Sequence, residues 1–271
     1  MIVVTGATGN TGRPLVDALL AKGEDVTAVS RGEAEFPAGA RHRRADLYEP
    51  ASLESAFAGA DRLYLITHDH ELDIAAVVKA AQTAGIGRIV LLSSQRVATR
   101  PHERLSGHED AVTASGLEWT ILRPGGFASN ALLGAAPVRE QRKLIAPFGD
   151  VGLPLIDPLD IAETAAAALT EDGHQGKAYT LTGPALVTPR QQAEAVAAAI
   201  GEPVEFVEQT RAQAHAQLVQ FWADEIVAGT LDVIGDPNEA EQAISPDVER
   251  VLGRSPHTFA AWAERNAAAF R

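Results

Sequence analysis

The chain has 271 residues, 46% of them hydrophobic and 22% charged, with a formal net charge of −13 at pH 7. That balance describes a globular chain of one or two domains with a large core, and its acidity argues against nucleic acid as a partner. Cysteine is absent, which excludes disulfides, thiolate nucleophiles and Cys-ligated zinc.

Short β-branched runs alternate with Ala-rich amphipathic segments. Strands are expected at Ile2 to Thr5, Val26 to Ser30, Arg62 to Ile66, Ile89 to Ser93 and Trp119 to Leu122. Helices are expected to start near Thr11, Ser52, Leu72 and Glu103. Arg41 to Asp46 stands where a third strand belongs, placed there by position because its composition is poor for a strand. Strand and helix in alternation imply a parallel sheet with helices on both faces. Beyond about residue 130 the pattern loosens. Asp157-Pro158 and Thr188-Pro189-Arg190-Gln191 read as helix starts, the second as a capping box, with Gly201 as its stop. Ser245-Pro246 and Ser255-Pro256 read as two more starts, and Tyr179 to Thr182 as a strand. The fold class is therefore α/β, a doubly wound parallel sheet with a small, mainly helical lobe holding one or two strands. The expected division is 1–153 for dinucleotide binding and 154–271 for the substrate lobe, with a strand near 177–182 returning to the main sheet. No apolar stretch reaches the roughly 20 residues that span a bilayer, and no leader pattern opens the chain, so a cytoplasmic protein is expected.

Thr5-Gly6-Ala7-Thr8-Gly9-Asn10-Thr11-Gly12 follows an apolar strand and opens a helix. Gly6, Gly9 and Gly12 suit a tight turn, close approach to a pyrophosphate and helix-on-strand contact. Thr8, Asn10 and Thr11 stand beside them at a helix start that binds phosphate. The plainer reading is a Gly-rich turn with no ligand. The second strand ends in Val29-Ser30-Arg31 with no carboxylate for a ribose hydroxyl. Arg31 there suits a 2′-phosphate, hence NADP(H) over NAD, unless it is one more solvated arginine. Asp46 after the third strand is a candidate for the adenine amine, or a loop cap.

These segments resemble the atypical short-chain dehydrogenase/reductases, in their NmrA-like branch, near NAD(P)H:quinone oxidoreductase-type members. Ile89-Val90-Leu91-Leu92-Ser93-Ser94, Ser115 to Phe127 with Asn130, Asp157 to Ala162 and Leu252 to Phe259 extend the resemblance over nearly the whole chain. The resemblance implies an extended Rossmann fold with a small C-terminal substrate lobe. It implies a nicotinamide near Thr67 and Ser93-Ser94, and cofactor contacts from Gly125, Phe127 and Asn130. It implies a reductase acting on a small molecule, or a redox-sensing regulator without turnover.

The wider superfamily uses a Tyr-x-x-x-Lys pair as proton donor. Here Tyr48, Tyr64 and Tyr179 are followed four residues later by Ser52, His68 and Gly183, and no lysine falls between Lys79 and Lys143. Candidate replacements are His68, His70, His102, His108 and Ser94, which stand in the two segments after the fourth and fifth strands. Histidine titrates near neutrality and commonly moves protons, although solvated loop histidines are the plainer reading. His68 and His70 alternate on an extended chain, but no further ligand stands at zinc-site spacing, so no metal is expected. Phe127, Phe148, Phe221 and Trp222 are candidates for an apolar wall around a flat substrate. The expected function is hydride transfer from NADP(H) to a small apolar quinone, enone, imine or carbonyl. The alternatives are an NADP-sensing regulator and a non-redox cyclase or isomerase on the same fold.

Overall fold

A computed structural model describes residues 1–67, 72–103 and 107–271. Among them nine strands appear in chain order: β1 (Ile2–Val4), β2 (Val26–Ser30), β3 (Ala40–Arg44), β4 (Arg62–Ile66), β5 (Arg88–Leu92), β6 (Glu118–Pro124), β7 (Lys143–Ala146), β8 (Lys177–Leu181) and β9 (Glu205–Glu208). The chain groups into two compact units, and neither is continuous. The first holds Met1–Pro124, Pro158–Leu181 and Asp247–Arg254; the second holds Gly125–Asp157, Thr182–Pro246 and Ser255–Arg271. A single cut after residue 153 therefore does not describe the grouping. The helix Pro158–Thr170 and β8 belong with the first unit because both pack on its sheet.

The first unit is a seven-stranded sheet in the order β3-β2-β1-β4-β5-β6-β8, with every described pairing parallel. The order reverses direction between β1 and β4, and ligands of such sheets bind at the strand tips beside that point. Alternation along the strands divides two cores. Val3, Leu63, Leu65, Ile89 and Leu91 pack with Leu53, Phe57, Val77, Val78 and Val112 from helices on one face. On the other face the buried side of Gly12–Ala21 packs against Pro158–Thr170, whose run Ala165 to Ala168 permits close approach. β3 is an edge strand, half-exposed along its length, which is why Ala40–Arg44 needs no apolar run.

Helix starts follow their signals with local shifts. Asp73 caps Ile74–Thr83, its carboxylate accepting from Ala76 N at 3.0 Å. The helix expected near Glu103 begins at Gly107, after a short helix at Arg96–Thr99 and a 3-10 turn at Pro101–Glu103. The start expected at Ser255-Pro256 falls at Phe259, because Thr258 supplies the cap to Ala261 N.

In the second unit the capping box at Thr188 and the left-handed Gly201 bound the helix Pro189–Ile200. β7 and β9 form a separate two-stranded parallel sheet, so the later half holds three strands rather than one or two. At four residues each they are too short for their alternation to stand out. Val138, Leu144, Val196, Phe259, Trp262 and Phe270 belong to this unit's core.

Candidate functional site

The loop after β1 is tied to both neighbouring strands: Thr5 N donates to Tyr64 O and Ala7 N to Val29 O, each at 3.1 Å. Gly6 has a φ of +59°, and a Cβ there would stand 2.4 Å from Ile66 Cγ2. A Cβ on Gly12 would stand 2.2 Å from Gly6 O and 2.9 Å from Ala7 Cα. Both positions therefore require glycine, whereas a Cβ on Gly9 would meet Gly6 O at a tight 3.2 Å. Thr8, Gly9 and Asn10 are exposed at the start of the helix Gly12–Ala21. Thr11 makes no side-chain cap, and no acidic residue stands in the first turn. Instead the Thr11 hydroxyl accepts from Tyr64 OH at 3.1 Å. A helix start with neither a side-chain acceptor nor a carboxylate suits an anionic pyrophosphate. Tyr64 is fully buried, and burial pushes its phenol well above the ordinary value. It supports the loop from below.

Arg31 follows β2 with an exposed side chain, and its carbonyl accepts from Arg44 Nε at 2.8 Å. Ser30 Oγ donates to Gly32 O at 2.7 Å and lies 2.8 Å from His42 Nε2. Arg13 donates to Glu35 O at 3.0 Å and lies over the Phe36 ring. The tip of β2 thus collects cationic side chains on a braced loop. Asp46 Oδ1 accepts from Tyr48 N at 3.1 Å, so the carboxylate caps its own loop.

At the tips of β4 and β5, Thr67 Oγ1 lies 3.1 Å from His108 Nδ1. Ser93 Oγ donates to Glu109 Oε1 at 2.6 Å. Arg123 grips the same buried carboxylate, Nε to Oε1 at 3.0 Å and a terminal nitrogen to Oε2 at 2.5 Å. Its guanidinium is pushed up chiefly by that hydrogen bond. The hydroxyl of Ser94 accepts from Arg96 N at 3.2 Å, a turn-capping contact. His102 is exposed on the 3-10 turn. His68 and His70 lie outside the described residues.

The sequence reading overlooked Tyr64, Gln95, Glu109 and Arg123. Arg123 carried a signal: a guanidinium inside the run Ile121-Leu122-Arg123 of a strand calls for a carboxylate partner. Gln95 is buried, and its Oε1 has no hydrogen-bond partner among the described residues.

In the second unit, Phe127 pairs with Ile156 as a parallel bridge, fixed by Ala128 N to Ile156 O at 2.8 Å and Ile156 N to Gly126 O at 2.9 Å. Asn130 is exposed on the turn that follows, with its N–H on Phe127 O. Phe148 is part of a small cluster with Ala214, Val227 and Leu231. Its ring occupies the space where Gly235 lacks a side chain, so packing accounts for it. Phe221 and Trp222 are exposed. Among the described residues no group of three or more His, Asp or Glu could hold a metal, and no helix is long and apolar enough to cross a membrane.

Sheet order and glycine loop together define a Rossmann-type, dinucleotide-binding fold. Residues 6–172 match a family described as NAD(P)H-binding. The chain belongs to that family. It is 33% identical to a (4-alkanoyl-5-oxo-2,5-dihydrofuran-3-yl)methyl phosphate reductase of Streptomyces griseus, covering 100% of this chain and 99% of the relative. It is 32% identical to an NAD(P)H azoreductase of Xenophilus azovorans, over 100% and 99% of the two chains. The structure of an NADPH-dependent quinone oxidoreductase of Escherichia coli complexed with NADPH superposes with a TM-score of 0.80 at 26% identity, over 98% and 99% of the two chains.

Proposed function

We propose that this reductase uses NADP(H) to reduce a small apolar quinone, enone, imine or carbonyl without a Tyr-x-x-x-Lys pair. The observation that carries the reading is the Gly6–Gly12 contact, where backbone lies too close for any side chain. The names of the similar azoreductase and NADPH-dependent quinone oxidoreductase support it. The helix start at Thr8 to Gly12 holds the pyrophosphate, and Arg31 takes the 2′-phosphate. Asp46 has one oxygen committed to its loop, and the other is offered to the adenine amine. Thr67 and Ser93 hold the ring at the strand tips. When bound, the reduced nicotinamide supplies the hydride.

A carbonyl that takes hydride on carbon then needs a proton on oxygen, and His108, beside Thr67, holds that proton. A quinone that takes hydride on one carbonyl oxygen becomes a hydroquinone monoanion, and water protonates the phenolate left on its other oxygen. This is why the missing tyrosine is tolerated. His102 is exposed, and the Ser94 hydroxyl, which accepts from Arg96 N, is a far weaker acid than an imidazolium, so both are weaker donors in this reading.

The test is a calorimetric titration with NADPH, NADP+ and NADH, followed by turnover with quinones and enones read from the absorbance of the reduced cofactor. Preference for NADPH with turnover is the expected result. A folded protein that binds none of the three refutes the reading.

A further inference from the structure

We propose that Glu109 is a positioning residue that makes Ser93 an obligate hydrogen-bond acceptor, and that the group Ser93 receives is the carboxamide N–H of the nicotinamide. This rests on the function proposed above and deepens it.

The argument begins with proton counting. The Glu109 side chain is 6% exposed, and it receives two N–H groups from Arg123, one on each oxygen. A carboxylate held in this bidentate manner can only accept. The 2.6 Å contact from Ser93 therefore runs outward from the serine, O–H to Oε1. A serine has a single proton, and this one is spent. What remains on a half-buried hydroxyl at the tip of β5 is acceptor capacity.

The arrangement is also stiff. Ser93 N donates to Leu122 O at 2.8 Å, and Gln95 N donates to Pro124 O at 3.0 Å. The backbone around Ser93 is thus pinned to β6 on either side of Arg123, the residue that grips Glu109. Serine, glutamate and arginine form one hydrogen-bonded cluster.

The consequence for ligands is selective. A ketone, ester or quinone oxygen would need the proton that Ser93 no longer offers. A ligand that donates is the one this hydroxyl can hold. The nicotinamide carboxamide carries two N–H groups, so Ser93 serves the cofactor and the substrate oxygen must find its donor elsewhere.

The experiment measures dissociation constants by calorimetry for NADP+ and its acetylpyridine analogue, in which a methyl group replaces the amide NH2. Wild type, Ser93→Ala and Glu109→Gln are compared, with a thermal melt of each. Wild type is expected to prefer NADP+ by about fivefold, the worth of one hydrogen bond. Ser93→Ala, which leaves the Glu109–Arg123 pair in place, is expected to bring the preference close to one. Glu109→Gln is expected to do the same, because its amide N–H can then face Ser93 as a donor. If Glu109→Gln does not fold, Ser93→Ala decides the role of the hydroxyl, and Glu109→Asp, which keeps a carboxylate for Arg123 but draws it back from Ser93 by one methylene, decides that of the carboxylate by lowering the preference. A wild-type preference that survives in Ser93→Ala, or is absent in wild type, overturns the proposal. Loss in Ser93→Ala with full retention in Glu109→Gln or Glu109→Asp overturns the part given to Glu109. A wild-type protein that binds neither dinucleotide overturns the function reading itself, and does so before any variant is made.

Discussion

Gly12→Ala is the substitution on which the cofactor reading is most exposed. The new methyl carbon would lie 2.2 Å from Gly6 O, 2.8 Å from Gly6 C and 2.9 Å from Ala7 Cα. Attractive contact begins near 3.5 Å, so the loop and the helix start must separate by about 1 Å. The loop cannot yield freely, because Thr5 and Ala7 are bonded to β4 and β2 and Gly9 N donates to Gly6 O at 2.9 Å. Overpacking of this kind costs about 1–3 kcal/mol of stability, a fall in Tm of roughly 3–10 °C for a domain of this size. The same displacement moves the phosphate-binding N–H groups, and a 1 Å misplacement weakens function by about 100-fold. Calorimetric titration with NADPH, alongside a thermal melt, separates the two effects. Gly9→Ala, with its contact of 3.2 Å, should give a clearly smaller loss. A folded Gly12→Ala protein that binds NADPH within about threefold of wild type would show that the phosphates lie elsewhere.

Arg31→Ala removes the guanidinium at the tip of β2. NADPH affinity should fall about tenfold while NADH affinity changes little, and equal losses for both would remove the 2′-phosphate role. Tyr64→Phe deletes a buried hydroxyl that donates to Thr11, and denaturant unfolding should register a loss of about 1 kcal/mol. An unchanged midpoint would mean that the loop does not depend on this support. Burial holds the His174 imidazole below its ordinary value of 6.5, beside Tyr179 OH at 2.8 Å. The unfolded chain then takes up its proton first as pH falls through about 6.5, so this residue's contribution is present above that pH and lost below it. His174→Gln should therefore flatten the decline in unfolding free energy on the acid side of 6.5, and an unaltered slope counts against it.

What the sequence determined by itself is the part governed by local chemistry. Strand runs such as Arg62-Leu63-Tyr64-Leu65-Ile66 are short and continuously apolar, as strands buried on both faces are, and the loop from Gly6 to Gly12 needs glycine for reasons of bond geometry and contact within eight residues. Caps at Thr188 and Gly201 act over four residues, so they too are legible. The tertiary structure decided what depends on distant partners. β3 was recognisable by position alone, because an edge strand is free of the burial that writes a pattern into sequence. β7 and β9 lie some sixty residues apart and stabilise each other only by pairing. Asp46 had two readings, and only the fold shows the donor that its own loop brings to one carboxylate oxygen. Ser93 could have donated or accepted. That choice belongs to Glu109 and Arg123, from the following helix and the next strand, because a hydroxyl proton goes to the strongest acceptor the fold brings within reach.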